Sequence, residues 1–370
     1  MIDVPGTALV DHHCHGIVPG VLDRARFESL LSEGGAPPPG TSNFDTPAGL
    51  AVRRHCAPLL DLDPHAAPDE YLERRAALGD GAVSRLLGAA GIGRHLVDTG
   101  FRGDELTTPD ELAAYTGAGH REIVRLEAVA EALAAEGVEP DAFAPTFARR
   151  LEEVVREGGA AGLKSVAAYR VGFDFDPSPP SSAEVTGAAA NWLHGLGEEP
   201  PRLADPTLTR LLLWTAVETG LPIQFHVGLG DSDIRLHRTD PALLTDFVLA
   251  APRTPVMLLH CYPFHRNAGY LAAVHPTVHL DLGLTLTFVG PARAGQVLAE
   301  ALELAPFGKV LFSSDAFGLA EFYHLGAYAF RRALGDVTDE RVRSGEWAAA
   351  DAERIVTMIA AGNAERVYGL

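Results

Sequence analysis

The stretch ALVDHHCH, residues 8–15, reads as an apolar run that turns polar at its C-terminal end and sets His13 and His15 two residues apart. On an ideal strand, side chains alternate faces. Asp11, His13 and His15 are therefore expected to point one way, with His12 on the other side in a structural role. Two imidazoles so placed suit one metal ion, and Asp11 suits an orienting acceptor behind them. An isolated His-x-His is weak, but three later apolar runs end in the same chemistry: PIQFHVG with His226, PVMLLHC with His260 and VLFSSDA with Asp315. Packing alone does not explain buried strands that repeatedly end in His, His and Asp.

Working outward, eight short apolar or β-branched runs read as strands: residues 8–15, 93–98, 122–127, 161–169, 222–228, 255–261, 278–283 and 310–316. Helical stretches separate most of them, including DAFAPTFARRLEEVVREG, LADPTLTRLLLWTAVETG, DPALLTDFVLAA and PARAGQVLAEALELA. This alternation predicts an α/β fold with a parallel sheet, and eight repeats predict closure into a (β/α)8 TIM barrel. An open doubly wound sheet is the alternative. Closure is preferred because it gathers the polar ends of strands one, five, six and eight at one mouth. The longest interruption, residues 16–91, contains PPPG at 37–40 and helical patterns such as DEYLERRAAL. It is expected to be a helical insertion, serving either as a cap over the mouth or as a stabilising decoration. Further helices are expected near 182–195 and 346–368.

The chain has 370 residues, within the range of one decorated barrel, and a single domain spanning 1–370 is expected. Thirty basic against 49 acidic residues give a formal charge of −19, which argues against a nucleic-acid backbone as partner. No membrane-length apolar stretch or signal-peptide layout is evident, so a cytoplasmic location is expected. Homo-oligomerisation is expected from base rates. Cys14, Cys56 and Cys261 form no Cys-x-x-Cys pair, and Cys14 and Cys261 read as small buried hydrophobes. Phosphate-loop, dinucleotide-binding and serine-elbow patterns are absent.

His13, His15, His226 and Asp315 offer three nitrogens and an oxygen to a divalent ion, with His260 as a further ligand. Zinc is the expected ion, with manganese or iron as alternatives, in a one-ion or two-ion site. Around the mouth, Asp231 and Asp233 are candidates for substrate amines or hydroxyls, Arg170 and Arg235 for a carboxylate, and Tyr169 and Tyr262 for further substrate contacts. Gly228 and Gly230 permit a tight turn there. Arg266, Arg125, Glu127 and Asp98 are additional candidates.

The series Asp11-x-His13-x-His15, His226, His260 and Asp315 resembles the amidohydrolase superfamily, and the ending GNAERVYGL resembles the close of its amidohydrolase-related family. LPIQFHVGLGDSD, LLHCYPFHRNAGYLA and APFGKVLFSSDA look like the branch related to the amidohydrolase-like domain fused to glutamine synthetase-type proteins. The resemblance implies metal-assisted hydrolysis of a C–N bond, with a γ-glutamyl-type or other amino-acid-derived amide as substrate. Asp315 is then the proton carrier. His260 either binds a second ion or polarises the substrate carbonyl. Lys164, in GLK, resembles a fourth-strand lysine that some amidohydrolases carbamylate into a metal ligand. An unmodified Lys164 would instead contact substrate or ligand groups, or snorkel outward. A metal-dependent non-oxidative decarboxylase is the alternative enzyme, and a non-catalytic metal-binding regulatory barrel the alternative outside enzymology.

Overall fold

The computed structural model describes Val4 and residues 6–370. Seven parallel strands follow one another in chain order around a curled sheet: β1 Leu9–Cys14, β2 Ile92–Asp98, β3 Gly119–Arg125, β4 Gly162–Ser165, β5 Ile223–His226, β6 Val256–Leu259 and β7 Val278–Leu280. Helices cover the outside, giving a TIM-barrel-like α/β fold. The helix Phe143–Gly158 shows why: Phe143, Phe147 and Leu151 recur every four residues and form its buried stripe. Pro206–Thr219 starts with Pro206 in its first turn, its N-cap Asp205 accepts from the Leu208 amide, and it stops at the left-handed Gly220.

Expected strands run past the observed ones at several ends, and four of the differences have a clear local cause. Residues 310–316 form no regular strand, although the segment bonds to both edges of the sheet. Leu311 N donates to the Leu280 carbonyl at 3.0 Å, His12 N to Phe312 O at 3.1 Å and Asp315 N to His13 O at 3.0 Å. Regular pairing is lost because the Asp11 carboxylate, not a strand carbonyl, accepts from Ser314 N at 2.8 Å, and Asp315 is left-handed at φ 48°. The fourth strand was expected to reach 169 but ends at Ser165. There Glu127 accepts from both Ser165 Oγ at 2.8 Å and Val166 N at 3.0 Å, and the short helix Ala167–Arg170 begins. The third ends at Arg125 because Leu126 opens a helix, and the seventh ends at Leu280 just before helix Gly283–Val289.

Between β1 and β2 lie the helices Arg24–Leu30, Pro47–Ala51, Pro68–Leu78 and Asp80–Ala90, joined by shorter turns. Phe27 and Phe44 stack within this segment at 5.5 Å. The expected helix near 182–195 is Ser182–His194. The C-terminal one is broken into Ala349–Thr357, a π turn at Met358–Gly362, and Asn363–Tyr368. Tyr368 closes the floor of the sheet. It packs with Val10, Leu96, Ile123, Met257, Leu259 and Leu311 in an inner core separate from the larger one between sheet and helices. Among the described residues no helix is long and apolar enough to cross a membrane.

Candidate metal centre and substrate cavity

The alternation expected along β1 fails at its centre. The β1–β2 register shifts between Asp11 and Cys14, which is a bulge, and the bulge turns His12 and His13 both toward the interior. His12 Nε2 donates to Asp281 Oδ2 at 2.9 Å, and its Nδ1 accepts from the Tyr368 hydroxyl at 3.0 Å. Asp11 instead faces outward with Cys14 and His95 and accepts from Ser314 N and Oγ at 2.8 and 2.5 Å. Asp11 therefore acts one residue removed from Asp315, through the Ser314 backbone. Cys14 and Cys261 are buried, Cys14 Sγ donating to the Leu96 carbonyl at 3.6 Å and Cys261 Sγ to the Leu258 carbonyl at 3.2 Å.

Distant segments meet at Asp315. Its Oδ1 lies 3.0 Å from His13 Nε2 and 3.5 Å from His15 Nε2, and its Oδ2 lies 3.3 Å from His260 Nε2. The His226 ring packs on His260 with centroids 4.7 Å apart, so His226 joins the group through His260 rather than through Asp315. Lys164 is buried with its Nζ 3.3 Å from His13 Nε2, which rules out the outward snorkel. Both His260, at φ 68°, and Asp315, at φ 48°, hold left-handed backbones, a conformation that aims their side chains inward at a local cost of about 1–3 kcal/mol each.

Neighbouring groups orient the imidazoles. His15 Nδ1 donates to the Asp98 carbonyl at 3.1 Å, leaving the Nε2 lone pair for the cluster. Asp281 accepts from the His260 amide at 2.9 Å, and the Tyr169 hydroxyl lies 3.0 Å from His226 Nε2. Burial, reinforced by the Lys164 ammonium, pulls the His13 imidazole down to about 3. Burial also lowers His226 and His260, so these rings are neutral and retain lone pairs. Burial pushes Asp315 up, but His260 and the bonds from His13 and His15 hold it well below the usual carboxylate range. The donor set fits a divalent cation: His13, His260 and Asp315 offer atoms within 4.8 Å of one another, and His260 Nε2, the atom nearest Asp315, is buried without a hydrogen-bond partner.

A cavity of about 370 Å³ opens above this cluster. Its wall includes His13, His15, Lys164, His226 and Asp315 and, among the expected substrate residues, Tyr169, Arg170, Asp231 and Asp233. Arg170 is engaged, its Nη2 donating to Glu131 at 3.1 Å, and Asp233 pairs with Arg202 at 2.8 Å. Two expectations are corrected. Arg235 is exposed and off the cavity wall because it leads into the turn Leu236–Arg238 and donates to the Ile234 carbonyl. Tyr262 also lies off the wall: its carbonyl accepts from Leu229 N at 2.7 Å, while its ring stacks on His265 at 5.8 Å. Of the further candidates, Arg125 lines the cavity and pairs with Asp98 at 2.6 Å, Glu127 holds the end of β4, and Arg266 is exposed against Glu303. Sequence reasoning missed Asp281, although it directly follows the apolar run of β7. It also missed Arg26, on the helix Arg24–Leu30, and Glu33, Arg102 and Arg202 in segments that carry no motif.

Residues 100–370 match the amidohydrolase family. This chain belongs to that family. The superfamily resemblance read from the histidine and aspartate series is thereby borne out. A protein described as a metal-dependent hydrolase from Lactobacillus casei is 30% identical, with a TM-score of 0.86 over 99% of this chain and 96% of its own. The protein fluG of Emericella nidulans is 27% identical over 98% of this chain, which spans 46% of that relative's length. Uronate isomerase from Thermotoga maritima, at 14% identity and a TM-score of 0.66 over 98% of this chain and 95% of its own, shares the fold. As an amidohydrolase family member, the chain is expected to use a divalent metal, for which the histidine–aspartate cluster offers candidate donors.

Proposed function

We propose that this protein is a metal-dependent hydrolase that cleaves an amide-type C–N bond in a small, carboxylate-bearing, amino-acid-derived molecule. The observation that carries this reading is the gathering of His13, His15, His260 and Asp315 around unpartnered buried donors at the floor of a cavity. His13, His15, His226, His260 and Asp315 would hold one or two ions, with zinc the preferred identity. A divalent ion bound there supplies Lewis-acid polarisation and lowers the pKa of a coordinated water from about 16 to about 7.

The chain's own groups complete the reaction. Asp315 accepts the proton of the attacking water and delivers it to the departing nitrogen as the C–N bond breaks, leaving a carboxylate and an amine. His260, fixed through its amide by Asp281, polarises the carbonyl that is attacked. Lys164 balances the Asp315 charge from beside His13. Tyr169 orients His226. The chain works as one catalytic domain, in which residues 16–91 cap the mouth, since Arg26, Ser29, Leu30, Ser32 and Glu33 form part of the cavity wall.

Metal-loaded protein incubated with a panel of N-acyl amino acids and amino-acid amides is expected to release amine or ammonia and to incorporate one solvent oxygen into the acid product. Release of carbon dioxide without that incorporation would replace hydrolysis with decarboxylation.

A further inference from the structure

The charged groups lining the cavity are not balanced. Each of the five arginines on its wall already has a carboxylate: Arg26 and Arg102 share Glu105, each at 2.5 Å, and Arg125 has Asp98 at 2.6 Å. Arg170 has Glu131 at 3.1 Å, and Arg202 has Asp233 at 2.8 Å. Lys164 is committed to the histidine cluster below. Among the described residues, two lining carboxylates, Glu33 and Asp231, have no cationic partner. Asp231 accepts only from a backbone amide, that of Asp233 at 2.8 Å, and Glu33 carries no hydrogen bond.

Glu33 is held where it stands. It lies in a turn after helix Arg24–Leu30, in which Gly35 N donates to the Ser32 carbonyl at 3.0 Å and Gly35 is left-handed at φ 72°. The buried Asn43 side chain ties this turn to the helix, donating to the Gly35 carbonyl at 2.9 Å and the Glu28 carbonyl at 2.7 Å. A carboxylate on a built turn, lining a cavity together with a second unpaired carboxylate close enough to repel it, is an incomplete ion-binding arrangement.

We infer that Glu33, with Asp231, is the specificity-determining element of this cavity and receives an ammonium group of the substrate. Resting on the hydrolase reading, this narrows the substrate to amides whose parent molecule carries a free amine. The electrostatics point the same way: burial pushes the Glu33 carboxyl up to about 8, with Asp315 and Asp231 adding to the rise, and an ammonium group between the carboxylates relieves that repulsion. The segment between β1 and β2 thus supplies recognition, while the strand ends supply the chemistry.

The test uses matched probes that differ only at the amine: L-glutamine against N-acetyl-L-glutamine, and L-leucinamide against N-acetyl-L-leucinamide. Binding to the metal-loaded full chain is measured by calorimetry and ligand-observed NMR. The free-amine member of each pair is expected to bind at least about tenfold more tightly, as one charge-assisted hydrogen bond supplies. Glu33→Gln is expected to remove most of that preference while leaving the affinity for the acetylated probes unchanged. Equal affinity within both pairs, no binding of any probe, or a preference that survives in both Glu33→Gln and Asp231→Asn overturns the inference. Hydrolysis is followed separately: an amine preference with no C–N cleavage across the amide panel rejects the hydrolase reading and leaves the ammonium site standing.

Discussion

Asp315 is the residue on which most of the site converges, because His13, His15 and His260 all reach its two oxygens. Asp315→Asn keeps the shape and removes the carboxylate proposed to accept the proton. Turnover of a cleaved amide is expected to fall by about 10²–10⁴-fold while circular dichroism and melting behaviour stay close to the parent protein. Wild-type turnover in that variant would remove Asp315 from the proton path. Tyr169 acts at one remove through its hydroxyl on His226. Tyr169→Phe is expected to weaken metal binding by about 10–100-fold in a chelator competition, with a smaller change in KM than in metal affinity. Unchanged metal affinity would make Tyr169 a cavity wall and nothing more. At this scale the residue types were legible and their directions only partly so. The bulge in β1 exchanges the expected roles of Asp11 and His12, and a register shift leaves no mark in a run of polar residues.

Among the elements, the loop after β5 shows how a short segment positions a site. Gly228 is left-handed at φ 78°, and a Cβ there would collide with the Tyr262 carbonyl oxygen, the acceptor for Leu229 N. Gly228→Ala therefore faces both conformational strain and a backbone clash. It is expected to destabilise the fold by about 1–3 kcal/mol, read as a lower denaturation midpoint, and to displace His226, read as weakened metal binding. A midpoint equal to that of the parent would show that the loop can rearrange freely. The glycines of this loop were recognisable in the sequence as turn formers. The destination of the loop was not: Arg235 lies two residues after the cavity residue Asp233, and Tyr262, beyond β6, two residues after His260, yet both project away because a 3₁₀ turn and a stacked His265 claim them. Strand ends were similarly misplaced where a side chain, Glu127 or Asp11, accepts from a backbone amide in place of a neighbouring strand.

Over the whole molecule, the site rests on a sealed floor. The Tyr368 hydroxyl donates to His12 Nδ1 and accepts from Gln224 Nε2 at 2.8 Å, and His12 in turn holds Asp281, which fixes His260. Tyr368→Phe leaves two buried polar groups without this partner. It is expected to cost about 1–3 kcal/mol in chemical denaturation, with a mild loss of activity carried through His260. Metal binding couples to the same framework, since an ion that binds only the folded chain stabilises it by about 2.7 kcal/mol at a hundredfold excess over Kd. Exhaustive chelation is expected to lower the melting temperature, and restoring zinc to recover it. No change on chelation would separate the cluster from metal binding.

The chemistry of the site was written in the sequence: strand-end histidines and an aspartate recur with the period of a βα fold, because side-chain alternation and helix amphipathicity are local properties. Tertiary structure alone decided which of these groups face inward and what surrounds them. The β1 bulge, the left-handed backbones of His260 and Asp315, and the pairing of Arg26, Arg125, Arg170 and Arg202 with carboxylates all depend on contacts between segments far apart in the chain. Glu33 belongs to that second class. Its neighbours in sequence say only that a turn occurs there, and its place on the cavity wall with Asp231 exists because the tertiary fold brings the turn after helix Arg24–Leu30 to that cavity.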